Sequence, residues 1–189
     1  MASYGRNFDF RVTPEEYQRR GRIVLDEGSD VPIGAPFIIM DDSTPDVGFT
    51  DALPAVLATG AQTPRRGMTG LGVYEWIDLN GHDTALYTYS DQDLIPNGKL
   101  FQLVSGPGVK VVFKNTSDRT FMNTRDYTGR IMVAGMGATP TVGIGDFLSP
   151  GTGDDTSGYW AVDGNSANAW LRVTNVDALR QEVEAEFMF

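Results

Sequence analysis

Twenty-two glycines and ten prolines punctuate 189 residues, and between them the apolar residues come in short runs, rich in β-branched and aromatic side chains. Runs of four to eight residues bounded by turn formers are the right length for strands and too short for stable helices. The runs are RIVL (22–25), PFIIM (36–40), GVYEWIDL (72–79), ALYTY (85–89), LFQLV (100–104), VKVVFKN (109–115), RIMVAG (130–135), YWAV (159–162) and AWLRVTNV (169–176). The last segment, EVEAEFMF (182–189), sets Glu182, Glu184 and Glu186 against Val183, Ala185, Phe187 and Phe189. That period of two predicts a half-buried strand. SGPG (105–108) predicts a tight hairpin between its flanking strands, and NGHD (80–83) carries the Asn-Gly signature of another. Residues 41–70 read as a long excursion with one apolar island, ALPAVLA (52–58).

Two stretches carry helix signals. In VTPEEYQRRG (12–21), Thr13 suits a cap, Pro14 the first turn, Glu15 and Glu16 the positive end, and Gly21 the stop. DALRQ (177–181) has Asp177 as a cap. The expected fold is therefore mainly β: a small β-barrel or sandwich over residues 31–189, preceded by an N-terminal arm, residues 1–30, containing one short helix.

Composition narrows the chemistry. With no cysteine, disulfides, thiol catalysis and zinc-thiolate sites are excluded. No apolar run has the length of a membrane-spanning helix, and MASYGRNFDF lacks the apolar stretch of a signal peptide, which predicts an intracellular protein or one released without a cleaved signal. Net charge is −10. Residues 1–22 hold five arginines against three acids, +2, so the other 167 residues sum to −12. An acidic body disfavours nucleic acid, which needs clustered cations. A basic arm on such a body points to an acidic protein surface as its partner.

The candidate chemical sites are sparse. GDFLSPGTGDDTSGYW (145–160) has neither the spacing nor the lysine of a phosphate loop, and Asp154 and Asp155 repel phosphate. Asp146, Asp154 and Asp155 offer oxygen ligands but not the regular alternation of a calcium loop. The segment reads as a wide loop before a strand anchored by Trp160. His82 is the single histidine, and its place in a predicted turn suits exposure better than buried base catalysis. GNSAN (164–168) approaches a nucleophile elbow but has Asn168 where the last glycine belongs. Among 25 acidic residues no catalytic pair stands out, Asp41–Asp42 and Asp91/Asp93 included. Trp76, Trp160 and Trp170 suit a core or subunit contact, or else a sugar-binding platform. Arg65–Arg66 make a compact positive spot in a loop. No enzyme is expected, and no cofactor or metal.

The order of segments carries a resemblance. VPIGAPFIIM, then ALPAVLATGAQTPRRGMTGLGVYEWI, LIPNGKLFQLVSGPGVKVVFKNT, VGIGDFLSPGTGDDTSGYWAV and WLRVTNVD with its alternating final strand resemble a capsid decoration (cement) protein of a tailed bacteriophage, over most of residues 31–189. The resemblance implies a β-rich protein on the outer capsid surface of the virion, made in the host cytoplasm, binding the major capsid protein, often as a homotrimer, without catalysis. It implies an N-terminal arm that reaches the shell, and here Arg6, Arg11, Tyr17, Arg19, Arg20 and Arg22 are the expected contacts. The length and the arginine-bearing, helical arm depart from the smallest members of that family. The alternative is a β-sandwich binding module for carbohydrate or another cell-surface ligand. An acid/base hydrolase on a β scaffold has only unassigned carboxylates behind it.

Overall fold

The computed structural model describes residues 8–12, 18–29, 31–32, 34–40, 52–60, 62–65, 68–73, 94–95, 97–98, 100–114, 133–136, 139–151 and 159–189. The strands are β1 (Phe8–Val12), β2 (Gln18–Leu25), β3 (Val31–Pro32), β4 (Pro36–Ile39), β5 (Leu53–Leu57), β6 (Thr69–Val73), β7 (Leu94–Ile95), β8 (Leu100–Val104), β9 (Lys110–Lys114), β10 (Phe147–Pro150), β11 (Trp160–Asp163), β12 (Leu171–Asp177) and β13 (Glu182–Phe187). The helical content among the described residues is one 3-10 turn, Ser166–Asn168. The mainly β expectation holds.

Five strands close a barrel in the order β2-β5-β4-β6-β8. Among these five strands β2 and β5 pair in parallel and the other pairs are antiparallel. Its interior is filled by Ile23, Leu25, Phe37, Ile39, Ala55, Phe101 and Leu103, with Val31, Ala35 and Ile95 packed on from the connections. The Phe37 and Phe101 rings lie 4.8 Å apart. A barrel this small has no room for a side chain at every inward position. Gly72 shows it: a Cβ there would sit 2.3 Å from the Phe37 ring. At Gly70 a Cβ would lie 2.7 Å from the Val104 carbonyl oxygen, so this glycine lets β6 approach β8.

The second sheet has the order β1-β9-β13-β12-β10-β11. Its alternation is the one expected from EVEAEFMF: Val183, Ala185 and Phe187 are buried, and Glu182, Glu184 and Glu186 lie on the other face. Val111, Phe113, Leu148, Trp160, Leu171 and Val173 share the buried face and pack on Ala58, Leu71 and Val104 of the barrel. Two indoles join the units. Trp160 Nε1–H donates to the Gly34 carbonyl at 2.9 Å, and Trp170 Nε1–H to the Gln62 carbonyl at 2.8 Å. Their rings meet edge-on at 5.7 Å, a geometry favoured by the aromatic quadrupole.

Several sequence expectations change. Residues 18–21, assigned to the second half of a helix, are strand: Gln18 pairs with Val104 and Arg19 with Leu103. A two-turn helix has little stability of its own, and a ladder on β8 outweighs it. The segment 1–30 thus contributes β1 to one sheet and β2 to the barrel, where Ile23, Val24 and Leu25 are fully buried. SGPG turns the chain, with Val109 N–H donating to the Gly106 carbonyl, but makes no hairpin. β8 remains in the barrel while β9 enters the other sheet, because Phe101 and Leu103 belong to one core and Val111 and Phe113 to the other. The island in the 41–70 excursion is strand β5. DALRQ is the turn between β12 and β13, not a helix; Asp177 Oδ1 accepts the N–H groups of Leu179 and Arg180, both at 3.0 Å. Of RIMVAG, the described part is a single bridge from Val133 to Trp160 followed by a turn. NGHD, ALYTY and residues 74–79 lie outside the described residues.

Candidate interaction surface

Of the polar groups that sequence singled out, Asp146 is bonded within the fold. In the glycine-rich segment, Gly145 turns with φ 94° and Asp146 Oδ2 accepts the Gly143 N–H at 2.7 Å. Gly145 then donates to the Val173 carbonyl, docking the turn on β12, and residues 147–150 continue as β10. Asp154 and Asp155 lie outside the described residues. Among the described residues no three His, Cys, Asp or Glu side chains come together as metal ligands. Ser166 of GNSAN is exposed in the 3-10 turn, capped by Asn165, whose Oδ1 accepts the Ala167 N–H. Nearby, Asp163 is committed on both oxygens, to Ser149 Oγ and to Asn165 N–H. That is structural use of a carboxylate.

Trp160 and Trp170 are fully buried and their N–H groups are bonded, so neither offers a ring face to a sugar. Arg65 is exposed at a turn held by Thr69, whose hydroxyl donates to the Arg65 carbonyl at 3.0 Å. Of the arginine set, Arg11 lies in edge strand β1, and Arg19, Arg20 and Arg22 lie in barrel strand β2. The helix that was to space them gives way to that strand. Arg6, Tyr17, His82, Trp76, Asp41, Asp42, Arg66, Asp91 and Asp93 lie outside the described residues.

One half-buried carboxylate stands apart. Glu27 follows β2, and its Oε1 accepts the Leu57 N–H, extending the β2–β5 seam after Asp26 N–H bonds the Ala55 carbonyl. Asn97 Oδ1 holds the same turn by accepting the N–H groups of Glu27 and Gly28, each at 3.1 Å. Burial pushes the Glu27 carboxyl above its ordinary value of 4.5; the Leu57 bond opposes this and the Asp26 charge adds to it. Its place at a barrel seam makes it part of the fold.

Among the described residues, the outer face of the six-stranded sheet is exposed at Arg172, Asn175 and Met188, while Val112 on the same face is buried. Register places Arg172 and Lys110 on either side of Glu186, and Asn175 and Val112 on either side of Glu184. Lys110 Nζ lies 3.9 Å from Glu186. At one end of this face an open groove of about 420 Å³ is lined by Ile144, Gly145, Arg172, Thr174, Glu186 and Met188, among others. Ile144 is 70% exposed and Met188 44% exposed. The groove offers both charge signs between apolar walls, a chemistry for protein contact. Sequence reasoning passed over it because its residues are far apart in the chain, although the alternation of WLRVTNV already set Arg172 opposite to the buried positions. Comparison with protein-family models, with curated proteins and with solved structures finds no match for this chain.

Proposed function

We propose that this protein is a structural decoration protein that binds the outer surface of a tailed-phage head and stabilises the shell, without catalysis, as a homotrimer on the major capsid protein. The observation that carries the reading is the outer sheet face, where a ladder of mixed charge ends in a groove with exposed Ile144 and Met188. Surfaces of this kind recognise proteins, since apolar side chains supply area and flanking charges supply orientation. The segment order quoted above supports the choice of partner. The reading differs in one respect from a free-arm mechanism: Arg11, Arg19, Arg20 and Arg22 would reach the shell from strands β1 and β2. The glycan-binding alternative loses support from Trp160 and Trp170, which are core residues.

The test is co-sedimentation of the purified chain with undecorated shells assembled from the cognate major capsid protein. Saturable binding that raises the shell's melting temperature, and weakens as salt screens the charges, is the expected result. Shells that neither bind the protein nor gain stability exclude the proposal.

A further inference from the structure

The β12–β13 hairpin presents exposed apolar side chains at both of its ends. Five large apolar side chains stand exposed among the described residues, and three of them are Ile144, Met188 and Leu179. Ile144 and Met188 flank the groove, at the open end of the hairpin beside Arg172 and Glu186. Leu179, 97% exposed, is at the turned end. A lone exposed leucine is ordinary on a protein surface. This one is held out by a turn with little freedom: Asp177 Oδ1 bonds the Leu179 and Arg180 N–H groups, and the Arg180 guanidinium lies 3.7 Å from Asp177.

The charges at the two ends match. The tip carries Asp177 and Arg180, and the groove carries Arg172 and Glu186. Asp177 lies five residue steps along β12 from Arg172, roughly 17 Å at strand rise, so a hairpin cannot fold its own tip into its own groove. We propose that the Asp177–Arg180 tip of one copy docks in the groove of a second copy, Leu179 between Ile144 and Met188, Asp177 toward Arg172 and Arg180 toward Glu186. Such a contact is head-to-tail: each copy uses its tip on one neighbour and its groove on another, so association continues until a ring closes. Preorganisation of the tip reduces the ordering cost of docking. The inference rests on the self-associating half of the function proposed above. Its test uses free protein, so a failed cross-link and a failure to decorate shells are separate outcomes.

The absence of native cysteine makes the test clean. Single variants Leu179→Cys and Ile144→Cys are mixed and oxidised, with Leu179→Cys plus Ser166→Cys as the collision control, Ser166 being exposed elsewhere. The expected result is a mixed disulfide dimer from the first pair well above the control. The double variant Leu179→Cys/Ile144→Cys should give species larger than the dimer. Glu186→Arg on the Ile144→Cys copy should lower the mixed cross-link about fivefold, and Arg180→Glu on the Leu179→Cys copy, which leaves the Asp177 cap in place, should restore it. Circular dichroism of each variant checks that the fold persists. A mixed yield no higher than the control, Leu179→Cys pairing mainly with itself, or a double variant that stops at the dimer overturns the proposal.

Discussion

Gly72 carries more constraint than most larger residues in the chain. Its missing side chain is the space that the Phe37 ring and Ile95 occupy, with a built Cβ 2.3 Å from one and 2.8 Å from the other. Gly72→Ala is therefore expected to lower stability by about 1–3 kcal/mol, the usual range for overpacking. Gly164→Ala, with open space around it, should change stability by no more than about 1 kcal/mol. Urea titration of the two variants reads the difference. Glu27 makes a different kind of prediction. Because burial raises its carboxyl in the folded state, the fold holds that proton more tightly than the unfolded chain does. Its contribution is fully present below the ordinary value of 4.5 and is lost as pH rises through the folded value. Glu27→Gln keeps an oxygen for the Leu57 N–H without the charge. The variant should be at least as stable as the parent at neutral pH, with a flatter stability profile as pH rises above 4.5. A variant clearly weaker at neutral pH would mean that the ionised form is the one the seam requires.

At the scale of elements, the β12–β13 hairpin shows how a turn can carry a helix signal. Asp177 accepts two N–H groups as a helix cap would, yet the chain reverses within Ala178–Gln181 because Gln181 takes a left-handed conformation, φ 53°. A residue with a Cβ pays for that conformation, and glycine does not. Gln181→Gly should leave the hairpin intact, with stability within about 1 kcal/mol of the parent because relief of the left-handed strain is offset by the greater freedom of glycine in the unfolded chain, measured as a shift of the thermal midpoint. The period of two in β13 was legible because one face meets a core and the other does not. β5 was hidden because Leu53–Leu57 carries no clean alternation, with buried and half-buried positions following one another irregularly along it.

For the whole molecule, the barrel and the sheet are joined by aromatic anchors and by the N-terminal strands. Trp160 touches Phe113 and Trp170 and bonds the Gly34 carbonyl on the barrel side. Trp160→Ala removes that volume and leaves the carbonyl unpaired, so a loss of about 3–5 kcal/mol is expected from thermal or urea melts. The N-terminal segment has a related consequence. Deleting residues 1–22 removes β1 and five of the eight residues of β2, which takes the Gln18–Val104 and Arg19–Leu103 pairs from the β2–β8 seam and exposes the β9 edge of the second sheet. The truncated chain should lose cooperative unfolding and its native β signal in circular dichroism. If instead it melts as cooperatively as the full chain, β1 and the start of β2 are accessory to the fold. Any loss of shell binding by such a deletion reports on folding as well as on contact. Charge substitutions at Arg11 and Arg20 in the full-length chain separate the two effects.

The sequence by itself determined the class of the fold and the faces of its clearest strands. Short β-branched runs between glycines and prolines leave little choice but strands, and the Glu–apolar alternation of residues 182–187 sets which side of β13 is wet. It determined the buried role of Trp160 and Trp170 less directly, through their place inside apolar runs. Tertiary structure alone decided which strands pair. Nothing local in SGPG says that β8 and β9 part company there; that follows from two separate cores competing for the residues on either side. Nor does VTPEEYQRRG reveal that residues 18–21 join a barrel, because the energy that makes them a strand comes from β8, some eighty residues away. The groove formed by Ile144, Arg172, Glu186 and Met188 is likewise a product of register between distant strands, and local sequence carries no record of register.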